Sequence, residues 1–401
     1  MRHRLCAALL AALLPFLIFS ASPASAQAPA ASVPAPAASS ASLPSGAFPA
    51  PPVNAAAYVL VDMTSGQTLV THNADEKRDP ASLTKLMTAY LVFGALRQKK
   101  ITPSQMVNVS PKAWKTSGSR MFIEPRKSVS VDELLKGMIV QSGNDASIAL
   151  AELVDGTEEA FVAHMNQEAP RLGMTNTRFA NATGLSAPQH HASAADLAKL
   201  AAALIRDYPE YYPIYAQKEF RYNNITQANR NRLLWTDPHV DGVKTGHTDS
   251  AGWCLVASAL RGERRLLAVV LGAASDTARA IEAQKMLNYG FQAFDTVALY
   301  QSGKPVTQLP VWKGASPQVN AGFLADRHVT LARGQADKLS LSLVAQDRLI
   351  APVQSGQNVG TVKVAFDGKP VAEFPLIALE DVPPASIAGR AWDTVRLWFA
   401  K

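Results

Sequence analysis

Three short stretches hold side chains whose types and spacing suit acyl transfer. The first is Ser82-Leu-Thr-Lys85. A serine hydroxyl is a weak nucleophile until a base takes its proton. Lysine becomes that base when burial or a second cation lowers its pKa. A spacing of three sets Lys85 one helical turn beyond Ser82, on the same face. Asp79-Pro80 immediately before predicts that Ser82 opens a helix, where unsatisfied N–H groups can bind a developing oxyanion. The alternative is an N-cap serine followed by a surface lysine. Leu86 and Met87, next in a largely apolar helix, favour burial of Lys85 instead.

The second stretch is Ser142-Gly-Asn144 and the third Lys244-Thr-Gly246. Ser142 could relay a proton. Gly143 permits a tight turn. Asn144 offers a donor and an acceptor to hold Lys85 and a substrate amide. Lys244 would be the second cation, lowering the pKa of Lys85 and attracting an anion. Thr245 could donate to a carboxylate, and Gly246 would let substrate backbone lie against a strand edge. Taken singly, these two stretches are a helix-capping loop and an ordinary turn.

The elements that would position them follow from periodicity. Ala57–Asp62 reads as a strand, 64–67 as a turn and 68–71 as the return strand. Helical spacing covers 82–96, 131–140, 144–153, 194–205 and 277–287, with strands at 252–257 and 265–271. This predicts an α/β (α+β) fold, a sheet covered by helices, over residues 53–292. Alternating runs at 329–331, 339–343 and 359–366, with an Asp367-Gly368 hairpin turn, predict a small all-β domain over 293–382. After Pro383-Pro384, Ile387, Ala391, Val395 and Trp398 share one helical side, with Ala388, Trp392 and Phe399 beside them. Arg390, Asp393, Thr394, Arg396 and Lys401 lie on the other side, and Leu397 is a misfit. Residues 383–401 therefore read as an amphipathic helix suited to an anionic membrane surface, the alternative being a helix docked on its own protein.

The N-terminus begins with basic Arg2, His3 and Arg4. An apolar run to Phe19 follows, short of the about 20 residues that span a membrane, then Ala24-Ser25-Ala26. Residues 1–26 are expected to be a signal peptide. Residues 27–52, rich in Ala, Pro and Ser, are expected to be a disordered linker. Cleavage after Ala26 would leave Cys254 as the single cysteine of the mature chain. Neither CxxC nor HExxH occurs, so no metal or other cofactor is expected. The 401 residues carry a net charge of +7. These charges are spread out rather than interleaved with aromatics, so nucleic acid is not an expected partner.

Together, in this order, the three stretches resemble the penicillin-binding protein and serine β-lactamase superfamily. Further stretches narrow this to the low-molecular-mass D-alanyl-D-alanine carboxypeptidases, especially those of type 5. They are Asp79-Pro-Ala-Ser-Leu-Thr-Lys85, Gln141-Ser-Gly-Asn-Asp-Ala146, Asn181-Ala-Thr-Gly-Leu185, Asn229-Arg-Asn-Arg-Leu-Leu-Trp235 and Asp241-Gly-Val-Lys-Thr-Gly-His-Thr248. The resemblance implies that Ser82 attacks the penultimate D-alanine carbonyl of a peptidoglycan pentapeptide stem. Lys85 would shuttle the proton with Ser142 as relay, and Asn144 would complete the catalytic set. Lys244, Thr245, Gly246 and His247 would bind substrate, the His247 N–H joining that of Ser82 as oxyanion hole. Arg279 matches a family arginine near the substrate carboxylate. The loop Ser117–Phe122 would border the site, and Arg120 departs from the pattern there, with consequences for substrate preference.

β-Lactams are the implied covalent inhibitors, and the periplasmic face of the cytoplasmic membrane the implied location. Four other readings compete. A β-lactamase of class A would need a glutamate for deacylation, which 170–191 does not offer. A D,D-endopeptidase usually lacks the β domain, and a transpeptidase differs only in the acceptor. A non-catalytic wall scaffold would tolerate decay of Ser82, Lys85 or Lys244, and none has decayed.

Overall fold

The computed structural model describes residues 49–399. The expected signal peptide and the expected linker up to residue 48 lie outside the described residues, as does Lys401.

The sheet that carries the site is antiparallel throughout. Ala57–Asp62 pairs with Gln67–His72 on one side and with Arg264–Ala273 on the other. Gly252–Arg261 follows, and Val240–Thr248 forms the edge. Successive residues of a strand point to opposite faces. Leu266, Ala268 and Val270 accordingly share a core with Met286 and Leu287 of the helix Asp276–Ala293. Leu267, Val269 and Leu271 share the other core, with Leu86 and Phe93 of Lys85–Arg97 and Leu200 of Ala194–Asp207. Strands buried on both faces read as continuous apolar runs, which made them legible.

Helix starts follow side-chain chemistry. Ser130 and Glu133 form a capping box for Val131–Val140. Ser193 and Ser275 accept from the backbone N–H groups of Asp196 and Ala278 at the starts of Ala194–Asp207 and Asp276–Ala293.

Among the elements absent from the sequence reading are a helix and a hairpin. Glu158–Arg171 is a helix, capped by Thr157. Its buried apolar stripe is a single row, Phe161, Met165 and Ala169, and charges with Pro170 obscure it. Glu219–Tyr222 and Ile225–Ala228 form a hairpin. Its turn residues Asn223 and Asn224 have φ of 50° and 61°, the left-handed pair that asparagine tolerates in a two-residue hairpin.

Beyond Ala293 the chain is β-rich. Phe294–Tyr300 pairs with Arg327–Ala332, and six further strands form a second sheet. Asp367 and Gly368, φ 48° and 73°, make the expected turn. The two regions meet on a buried polar junction. The Asp62 carboxylate receives Arg264 Nε at 2.8 Å, Thr296 Oγ1 at 2.6 Å and Thr330 Oγ1 at 3.0 Å.

The last helix is Ile387–Phe399. Asp393 accepts the N–H of Lys313 at 2.7 Å, and the Arg396 guanidinium lies 5.6 Å from the Trp312 ring centroid. Gly389, Asp393 and Leu397 form its half-buried row, so Leu397 is no misfit but part of the docked side. Trp398 and Phe399 are 84% and 81% exposed, and Ile387, Trp392 and Val395 are exposed with them.

Candidate functional site

Ser82 lies in a 3₁₀ turn, Ala81–Thr84, and the α-helix proper begins at Lys85. The sequence reading expects one helix from Ser82. The tighter turn eclipses side chains three apart, which brings Lys85 Nζ to 3.0 Å from Ser82 Oγ. Ala81 enters the turn at φ 47°, a left-handed conformation costly for a residue with a Cβ. Asp79 holds it there, accepting the Ala81 N–H at 2.8 Å, while Ser186, Thr248 and Ser250 donate to its other oxygen.

Lys85 is 1% exposed. Besides Ser82, its amine meets Asn144 Oδ1 at 2.7 Å and the Thr183 carbonyl. Asn144 is the first residue of the helix Asn144–Asp155, and its Nδ2 donates to the Ser117 carbonyl at 2.7 Å. That bond fixes the amide so that oxygen faces the lysine. Neither Asn144 Oδ1 nor a carbonyl can donate a proton. A neutral amine satisfies both with its two N–H groups, and its lone pair is left for the Ser82 hydroxyl. In its neutral form Lys85 is thus oriented as a base toward Ser82. Burial, reinforced by the Arg230 cation and opposed by Asp145, pulls its pKa down to about 7.

Ser142 has φ 67° and is nearly inaccessible. It accepts from Lys244 Nζ at 2.9 Å. The third stretch does not form a turn. It lies within the edge strand Val240–Thr248, whose far side carries no strand among the described residues. Burial first, then Lys85, Arg230 and Arg279, push the Lys244 pKa well down. Lys244 was expected to be the second cation acting on Lys85. The cation that lowers Lys85 is instead Arg230, which the sequence reading passed over; Arg230 and Lys85 in turn disfavour the Lys244 ammonium. Arg230 remains exposed, so solvent weakens its influence.

Gly246 packs against the nucleophile turn. A Cβ there would lie 3.1 Å from the Pro80 oxygen and 3.2 Å from Ala81 Cβ. Gly184 comes nearer still, at φ 86°, where a Cβ would lie 1.9 Å from the Ala81 oxygen. Thr245 is buried on the edge strand, and the His247 ring stacks on Trp253 with centroids 3.9 Å apart. Arg279 is buried behind that strand, donating to the Gly246 carbonyl at 3.0 Å and pairing with Asp276. All nine residues singled out in the sequence thus fall on the nucleophile turn, the start of the Asn144 helix, the edge strand and the helix behind it. Asp79, Asp145, Thr183 and Arg230 join them. All four stood within quoted stretches without being singled out, and Thr183 acts through a backbone carbonyl that no residue type announces.

A serine paired with a buried lysine of lowered pKa beside an open strand edge is the arrangement of a serine acyl-transfer site. The comparisons with known proteins agree. Residues 45–275 match the D-alanyl-D-alanine carboxypeptidase family, and residues 294–384 match the C-terminal domain of penicillin-binding protein 5. The D-alanyl-D-alanine carboxypeptidase DacC of Escherichia coli is 46% identical, over 87% of this chain and 90% of its own. Penicillin-binding protein 5 from Haemophilus influenzae superposes with a TM-score of 0.81 at 40% identity, covering 84% of this chain and 99% of its own. Penicillin-binding protein D2 from Listeria monocytogenes, solved in an ampicillin-bound form, gives a TM-score of 0.57 or 0.56 in its two antibiotic complexes, the latter for ampicillin, at 30% identity over 61% of this chain and all of its own. The chain belongs to the D-alanyl-D-alanine carboxypeptidase family and is a peptidase, a hydrolase.

Proposed function

We propose that the protein removes the terminal D-alanine from peptidoglycan pentapeptide stems through an acyl-enzyme on Ser82. The observation that carries this is the contact between Ser82 Oγ and a Lys85 amine whose other partners are acceptors. Ser82 Oγ attacks the penultimate D-alanine carbonyl as its proton passes to Lys85. The backbone N–H groups of Ser82 and His247 take the oxyanion. The C–N bond breaks, the leaving D-alanine amine gains through the Ser142 hydroxyl the proton that Lys85 took, which returns Lys85 to its neutral form, and the stem remains esterified to Ser82. Water, losing a proton to Lys85, then releases it. Thr245 meets the terminal carboxylate, and Arg279 supports that end of the strand from behind. β-Lactams acylate the same oxygen and lack a leaving amine that departs. The test is D-alanine release from a soluble acyl-Lys-D-Ala-D-Ala peptide, with intact mass after penicillin. Release and a penicillin adduct, both lost in Ser82→Ala, support the reading. An adduct that persists in Ser82→Ala overturns it.

The exported chain acts at the periplasmic face of the inner membrane, held through Ile387–Phe399. The exposed row of Ile387, Trp392, Val395, Trp398 and Phe399 supports this, because the opposite side is already occupied by the protein. Domains over 53–292 and 293–382 meet at Asp62 and divide the work into chemistry and support. Removal of residues 383–401 should abolish sedimentation with membranes. Continued sedimentation would disprove the anchor.

A further inference from the structure

The last helix leaves a cleft along one flank. The cleft encloses about 440 Å³ between Lys313, Pro352 and Pro384 on one wall and Ile387, Arg390 and Thr394 of the helix on the other. Backbone bonds fix both walls. Ala385 donates to the Lys313 carbonyl and Ala315 to the Pro383 carbonyl, each at 2.8 Å, and Ala351 donates to the Trp312 carbonyl at 2.9 Å. Lys313 stands at φ 59° with its N–H given to Asp393. The contacts that dock the helix therefore also build the cleft.

Its charge is positive and uncommitted. Asp393, the one acidic residue of the helix, faces the Lys313 N–H and lies 3.7 Å from Arg396. Arg396 is further engaged by the Trp312 ring. No ion pair among the described residues includes Lys313 or Arg390, which line opposite walls. A guanidinium fork and an ammonium so placed suit a phosphate, whose oxygens accept from both.

The neighbouring surface points to the source of that phosphate. Residues three and four apart on a helix are neighbours, so Ile387, Ala391, Thr394 and Trp398 form one row. Its first three members border the cleft, while Ile387 and Trp398 are 80% and 84% exposed. A phosphate between Lys313 and Arg390 would thus have apolar surface leading away from it along the helix. A free anion has no use for that surface, whereas a headgroup carrying acyl chains does.

We propose that this cleft binds the phosphate of an anionic phospholipid between Lys313 and Arg390, with the acyl chains laid along the row from Ile387 to Trp398. The proposal rests on the reading of the last helix as the membrane-facing element. It adds a lipid class to that reading, which burial of aromatic side chains alone would not select.

The test is sedimentation of the full mature chain with vesicles of phosphatidylcholine, alone or mixed with phosphatidylglycerol. The wild type should favour the mixed vesicles by about tenfold or more. Lys313→Gln with Arg390→Gln should remove most of that preference, with partition into phosphatidylcholine and penicillin acylation unchanged. Lys304→Gln with Lys369→Gln, which deletes the same charge from exposed positions elsewhere in the β-rich part, should keep it. A preference that survives the first pair, or falls equally with the second, overturns the site. A preference cancelled by millimolar inorganic phosphate at constant ionic strength assigns the cleft to a free anion and overturns the lipid. Sedimentation with neither vesicle counts against the membrane reading instead. The cleft is then judged by titration with a short-chain phosphatidylglycerol below its micelle concentration. Binding that is lost in Lys313→Gln with Arg390→Gln supports the site, and no binding by the wild type overturns it.

Discussion

Asn144 holds its amide oxygen 2.7 Å from Lys85 Nζ while its nitrogen is bound to the Ser117 carbonyl. The first contact gives the lysine an acceptor, and the second prevents the amide from turning over to offer a donor. The base is therefore oriented by a residue outside its own helix.

The pH dependence follows. Lys85 must be neutral to accept the serine proton, and its pKa lies at about 7. Acylation by penicillin should therefore rise with pH through that region and level off above it. Arg230→Gln removes a cation that disfavours protonated Lys85, so the pKa rises and the acid limb moves to higher pH. The shift should be at most about one pH unit, because Arg230 is exposed. Stopped-flow acylation rates across pH check this; a limb that stays in place excludes Arg230 as a tuning charge.

Gly184→Ala should damage the nucleophile turn. Its Cβ would overlap the Ala81 peptide at a backbone angle that alanine resists. An unfolding shift of about 1–3 kcal/mol is expected from the angle alone, together with a large fall in penicillin acylation. Normal acylation at normal stability would mean that this loop yields freely.

Asp62→Ala takes the buried carboxylate away from the half-buried Arg264 cation and from two threonine hydroxyls. Loss of one partner of a buried pair costs about 3–5 kcal/mol. Thermal unfolding should report that loss, while D-alanine release by the folded fraction at low temperature should remain.

Trp398→Ser with Phe399→Ser removes two exposed aromatic side chains from the last helix. At about 1.5–3 kcal/mol of burial each, partition into anionic vesicles should fall by roughly a hundredfold or more. Vesicle sedimentation measures it, and an unaltered partition would place the contact elsewhere.

Much of this architecture could be read from residues. Leu266–Leu271 announces itself because both faces are apolar, and Ser130 with Glu133 marks its helix start through local bonds. Glu158–Arg171 was illegible because one narrow row makes its only core contact. At the site, Ser82 and Lys85 could be paired by spacing, yet spacing did not distinguish a 3₁₀ turn from an α-helix. The same limit hid the strand around Lys244, whose edge position depends on pairing with Gly252–Arg261. Arg230 influences the lysines through a field, and sequence order does not show which charges will share a space.

The Asp62 junction also has a geometric consequence. It joins the strand Ala57–Asp62 to Thr296 and Thr330, and at the far end of the β-rich part Asp393 and Arg396 secure the last helix. The hydrogen bonds at Asp62 and Asp393 and the Arg396–Trp312 contact are what set the aromatic row in its place relative to the Ser82 mouth. A surface that took up Trp398 and Phe399 would thereby set the reach of the active site, as a tripod sets the line of sight of the instrument mounted on it.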